Sequence, residues 1–318
     1  MFRKIVFLIL TCLCFVCCFG SNSSNIERDS IPYLSFQETP FIVVEAILDN
    51  GVKGLLALDS GTSSDKITLD SAFFYDNVDI SKFTCQKPKF KTVFFREIYT
   101  GDMSINIGGN SFIVNEIEVR KYKATSIRKG LVGNKAFLDK ITIINFEEKL
   151  IAFVDSLAVD SSYKAIPMYP PRNKDTQHST QKFIEVSGLR DKHGKPRQAR
   201  FLFDLGCTNA GLSVKNTFIK DIVNEKKNVT NQVSIGYDES LNKGTKWEID
   251  SLFIGDIMLN NVSMKAHSKE YDPLEALTSG DGLLGLDILR RFHLIVDYKN
   301  NILYLKPNNN YQKFELSQ

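Results

Sequence analysis

Two stretches of this chain follow the same plan, and each delivers one aspartate at the same point. The first starts at Phe41 and passes through the apolar run Leu55-Leu56-Ala57-Leu58 into Asp59-Ser60-Gly61-Thr62-Ser63. It then reaches Gly130-Leu131-Val132-Gly133-Asn134. The second starts at Phe183 and passes through Phe201-Leu202-Phe203 into Asp204-Leu205-Gly206-Cys207-Thr208. It reaches Gly282-Leu283-Leu284-Gly285-Leu286 at a similar interval. A duplicated chain favours two similar units with one carboxylate in each. Two carboxylates that meet can share one proton, an arrangement that activates water to attack an amide.

The repeat extends beyond the aspartates. Short β-branched and aromatic runs, such as Phe41 to Ile47, Ile141 to Ile144 and His293 to Tyr298, alternate with turn signals. Those signals are Asp49-Asn50-Gly51, Gly108-Gly109-Asn110, His193-Gly194-Lys195 and Lys299-Asn300-Asn301. Many short strands with this punctuation predict an all-β fold. Two helical stretches are expected, at Asn134 to Lys140 and Asp287 to Phe292, each after a Gly-Leu-x-Gly turn. Met103 to Asn110 matches Ser251 to Met258 as a middle hairpin, and Ile141 to Phe153 matches Leu294 to Leu305 as a closing one. The Pro-rich segment 158–180 separates the copies. The expected organisation is a signal peptide at 1–20, a linker at 21–31, an N-terminal lobe at 32–157, a connection at 158–180 and a C-terminal lobe at 181–310. Lobes of this length are ordinary domain sizes.

An apolar strand that releases Asp-Ser-Gly-Thr into a turn brings a carboxylate out of a dry strand, where it is costly without partners. Gly61 lets the backbone turn tightly, and Ser60 and Thr62 offer hydroxyls at short range. One such turn alone reads as an ordinary Asp-x-Gly strand end. Two, each followed by Gly-Leu-x-Gly, do not. On these residues the chain resembles the aspartic protease superfamily, over about Pro32 to Pro307. Asp59-Ser60-Gly61-Thr62 matches its catalytic signature, and the second half matches at Phe203-Asp204, Gly206 and Gly282 to Leu286. The ending Leu286 to Tyr298 is similar to bacterial retropepsin-like proteins. The resemblance implies a bilobal acid-protease β fold with Asp59 and Asp204 as catalytic residues in a cleft between the lobes. Ser60, Gly61, Thr62, Gly206 and Cys207 would be supporting residues. It further implies a peptide or protein substrate in extended conformation and no metal or other cofactor.

The second copy departs from the family pattern. Leu205 stands where the family carries a hydroxyl that bonds across the lobe interface, and Cys207, a weak donor, stands where it prefers a hydroxyl or small residue. A pair of lobes that binds peptides without cleaving them is therefore the alternative reading. A covering flap is expected within Lys87 to Tyr99, where Phe90, Phe94, Phe95 and Tyr99 line a cleft or fill a β core. Trp247 and Tyr237 carry the same ambiguity. Asp281 reads as a solvated turn residue.

Arg3-Lys4, the apolar run Ile5 to Phe19 and Gly20-Ser21 have the order of an export signal, with cleavage after Gly20. Export to a periplasm, cell envelope or medium is expected; a lipid on Cys17 or Cys18 is the alternative, giving a membrane-tethered protein. Cleavage leaves Cys85 and Cys207, which fall in different lobes, so pairing is not expected. The net charge of +3, which falls to +1 without Arg3 and Lys4, gives no reason to expect a nucleic-acid partner. His178, His193, His267 and His293 show no ligand spacing. A monomer is expected.

Overall fold

The structure, a computed structural model, describes residues 31–62, 66–86, 97–122, 126–172, 180–208, 210–235, 241–268, 272 and 274–311. The expected signal segment, all but the last residue of the 21–31 linker, and Phe90, Phe94, Phe95, His178 and Tyr237 lie outside those residues.

The chain is all-β with a few short helices. After β1 (Leu34–Ser35) and β2 (Gln37–Thr39), the first series begins with β3 (Phe41–Leu48), β4 (Lys53–Leu58), β5 (Lys66–Asp70) and α1 (Ser71–Asn77). It continues with β6 (Thr84–Gln86), β7 (Glu97–Ile107), β8 (Asn110–Arg120), β9 (Gly130–Val132) and α2 (Lys135–Leu138). The hairpin β10 (Ile141–Asn145) and β11 (Leu150–Val154) closes it. Strand β12 (Lys164–Tyr169) follows. The second series is β13 (Phe183–Arg190), β14 (Pro196–Phe203), β15 (Leu212–Val214), α3 (Asn216–Ile219), β16 (Lys227–Ile235), β17 (Leu241–Ile254) and β18 (Ile257–His267). An added helix, α4 (Leu274–Leu277), precedes β19 (Gly282–Leu284), α5 (Leu286–Leu289), β20 (Phe292–Asp297) and β21 (Ile302–Pro307).

The pairings repeat as well as the order. In the first series β3 pairs antiparallel with β4, β4 runs parallel to β9, β9 is antiparallel to β5, and β5 runs parallel to β8. In the second, β13 with β14, β14 with β19, β19 with β15 and β15 with β18 do the same. The two closing hairpins then join: β10 lies antiparallel to β20, with Ile143 opposite Ile295. Buried apolar side chains from both series form one continuous core. The hairpins turn where the sequence predicts, at Gly108-Gly109 and Gly255, all with positive φ.

Two expectations need correction, at Asp287 to Phe292 and at Asp281; the connection gains a strand and the open choice at Tyr99 and Trp247 is decided. The connection at 158–180 holds a strand: β12 pairs with β21 and β13, burying Ile166 and Met168 in alternation while Pro167 faces out. The expected helix at Asp287 to Phe292 runs instead over Leu286–Leu289, and Phe292 opens a strand. Tyr99 and Trp247 are core aromatics; Tyr99 packs on Phe74 with ring centroids 4.9 Å apart. Asp281 is not solvated: its carboxylate accepts from the Arg200 N–H at 2.8 Å, and its own N–H donates to the Arg200 carbonyl at 2.7 Å. It ties the start of β19 to β14.

Candidate active site

Each aspartate is delivered by the same local construction. Strand β4 lies beside β9 with Leu58 opposite Val132, and β14 lies beside β19 with Phe203 opposite Leu284. The parallel ladder ends when the Asp59 N–H donates to the Val132 carbonyl and the Asp204 N–H to the Leu284 carbonyl, each at 3.0 Å. The chain then turns. Thr62 and Cys207 donate their N–H groups back to the carbonyls of Asp59 and Asp204 at 3.3 and 3.2 Å. The helix that follows each Gly-Leu-x-Gly caps the turn from below: Asn134 N–H donates to the Thr62 carbonyl, and Leu286 N–H to the Cys207 carbonyl. Inside each turn the glycine N–H holds its own aspartate, Gly61 to Asp59 Oδ1 at 2.9 Å and Gly206 to Asp204 Oδ1 at 2.8 Å.

The two turns face each other. A Cβ on Gly61 would lie 2.8 Å from the carboxyl carbon of Asp204, and one on Gly206 only 2.6 Å from that of Asp59. Each glycine is therefore the space into which the opposite carboxylate fits. The carboxyl groups hydrogen-bond each other and are almost wholly buried. Burial raises both proton affinities, and Asp204 is pushed well up, by burial and then by the negative charge on Asp59. Asp59 has more help in carrying charge: besides Gly61, it accepts from Thr62 N–H at 3.1 Å and from Thr62 Oγ1 at 3.0 Å. Among the described residues, Asp204 has only the backbone N–H groups of Gly206 and Cys207 as stabilising donors. This ordering favours the proton on Asp204 and the charge on Asp59.

The supporting residues divide unevenly. Ser60 Oγ crosses to the other copy, donating to the Phe203 carbonyl at 2.8 Å and accepting from the Leu205 N–H at 3.0 Å. Leu205 is fully buried and offers no hydroxyl in return. Cys207 is buried, its thiol pushed well up by burial and by Asp204, and both it and the exposed Cys85 are free.

Two residues that sequence reasoning passed over also reach this region. Gln181 Nε2 donates to the Gly61 carbonyl at 2.8 Å from the segment entering β13. Tyr298, at the turn after β20, lies against Ser60. For Tyr298 a signal existed: the repeat aligns it with Phe146, a polar-for-apolar exchange like that between Ser60 and Leu205.

No family model matches the chain, and no curated protein matches it.

Proposed function

We propose that the chain is an aspartic endopeptidase with a bilobal acid-protease fold, whose lobes span 32–157 and 181–310. The observation that carries the reading is the meeting of Asp59 and Asp204, hydrogen-bonded to each other and admitted by glycines on the opposite turns. One charged and one protonated carboxyl group supply both halves of general acid–base catalysis on a water. Asp59 takes a proton from water as its oxygen adds to the scissile carbonyl carbon. Asp204 gives its proton to the carbonyl oxygen. The resulting diol collapses when Asp59 passes its proton to the leaving nitrogen and a diol hydroxyl returns one to Asp204, so the pair ends as it began. No metal or covalent intermediate enters this scheme. The substrate would be an extended peptide, and the chain would be exported through its 1–20 segment, with a lipid on Cys17 or Cys18 as the alternative anchor. N-terminal sequencing of the mature protein distinguishes cleavage after Gly20 from retention of a lipidated cysteine.

The test is cleavage of a peptide library between about pH 3 and pH 8, a range that spans ionisation of a carboxyl pair. Asp59→Asn serves as the control. Cleavage that needs both aspartates supports the reading, and full activity in Asp204→Asn refutes it. Leu205 and Cys207 favour a second reading, a peptide-binding pair of lobes without turnover. That reading takes over if the natural chain and a Leu205→Thr, Cys207→Thr variant both bind peptides and neither cleaves one.

A further inference from the structure

Ser60 anchors its own Asp turn to the backbone of the other, and its hydrogen bonds among the described residues are incomplete. A serine hydroxyl has one donor and two acceptor sites. The donor goes to the Phe203 carbonyl and one acceptor site takes the Leu205 N–H, which leaves one acceptor site. Beside it stands a donor with the opposite deficit. The Tyr298 hydroxyl is buried and makes no hydrogen bond of standard geometry, yet it lies at the edge of reach of Ser60. A buried hydroxyl left without a partner is costly, so such groups are rarely retained without a use. The ring is fixed by stacking on Phe137, with centroids 5.9 Å apart and planes 23° apart, so the hydroxyl is aimed rather than loose.

We infer that Tyr298 is a positioning residue that completes the Ser60 anchor, taking over the bracing that Leu205 cannot supply. This rests on the peptidase reading for its consequence but not for its geometry. Tyr298 is placed to donate to the open acceptor site of Ser60, and Ser60 in turn holds Phe203 and Leu205, the residues on either side of Asp204. The exchange between copies follows the same logic: the copy with Ser60 at its Asp turn is met by a tyrosine, while Phe146 occupies the corresponding position after β10. Burial raises the proton affinity of the phenol far above its ordinary value, so it remains a donor at every pH the enzyme would meet.

Tyr298→Phe in the full chain removes the hydroxyl and keeps the stacked ring. Two readouts are expected to respond. Exchange of the Leu205 amide hydrogen, whose bond ends on Ser60, should quicken about 5- to 10-fold, the size of one hydrogen bond. The kcat for a cleaved peptide should fall by a similar factor with KM unchanged. In a Ser60→Ala background the Tyr298→Phe change should add nothing to either readout. If Tyr298→Phe leaves both at their natural values, or adds its full effect in the Ser60→Ala background, the inference is overturned. If the natural chain cleaves nothing but Leu205 exchange responds as expected, the positioning role stands and the peptidase reading falls.

Discussion

The assignment of charge to Asp59 and of the proton to Asp204 is most directly tested at Thr62. Thr62→Val removes the hydroxyl that donates to Asp59 Oδ2 at 3.0 Å and keeps the side chain's shape and the N–H bond to Oδ1. A hydrogen bond to a charged group contributes about 1.5–3 kcal/mol. At about 1.4 kcal/mol per pKa unit, its loss should raise the proton affinity of Asp59 by about 1–2 units. Burial already raises that affinity, so the change adds to an existing displacement and narrows the gap to Asp204.

The assay is kcat/KM for one cleaved peptide as a function of pH. Its acid limb reports ionisation of the free enzyme's dyad and should move up by that amount, while the basic limb moves less. Carboxyl titration by NMR of aspartate-labelled protein reads the same displacement without turnover. An acid limb that stays in place in Thr62→Val, or moves down, refutes the assignment. The charge would then rest on Asp204 despite its poorer set of donors.

Gly206→Ala puts a methyl 2.6 Å from the Asp59 carboxyl carbon at a residue without positive φ, so its cost is displacement of that carboxylate and not backbone strain. It should lower stability by about 1–3 kcal/mol in thermal unfolding, and turnover by about 100-fold from misplacement alone. Asp204→Asn should abolish cleavage yet stabilise the fold above the ordinary carboxylate pKa of 3.8. The folded state holds a proton on Asp204 that the unfolded chain releases at about that value, so natural stability falls as pH rises from 3.8 through the raised folded value, and the variant lacks that loss. A melting temperature of Asp204→Asn that tracks the natural protein's across this window would count against a protonated Asp204.

Much of the architecture could be read from the chain because its signals are local. Gly108-Gly109 and Gly255 set hairpins through backbone conformations that few other residues adopt readily, and Ile141 to Ile144 reads as a buried strand wherever it pairs. What could not be read depends on distant partners. Pro167 reads as a breaker, yet it faces outward from β12, and the ladder around it is carried by its neighbours, as in the Met168 N–H bond to the Asn301 carbonyl. Asp281 reads as a turn residue in water because nothing nearby in sequence reveals that Arg200 will hold it. The aspartates stand out because the repeat marks them, whereas their mutual approach depends on Gly61 and Gly206, whose meaning appears only when the turns face each other.

The asymmetry of the site follows from how a duplicated pair has to behave. Two identical turns would offer two identical carboxyl groups, and with one proton between them either could hold it equally well. General acid–base chemistry works best when each group has a fixed role. Here Thr62 adds a hydroxyl to one turn and Cys207 adds none to the other. The Thr62 hydroxyl, absent at Cys207, favours charge on Asp59, while Ser60 and Leu205 set the contact between the turns. The departures from a symmetrical signature at Leu205 and Cys207 need not be losses. In the proposed mechanism they would set which carboxyl group is the base and which the acid, provided that the remaining anchor through Ser60 is held firmly enough to keep the two turns in contact.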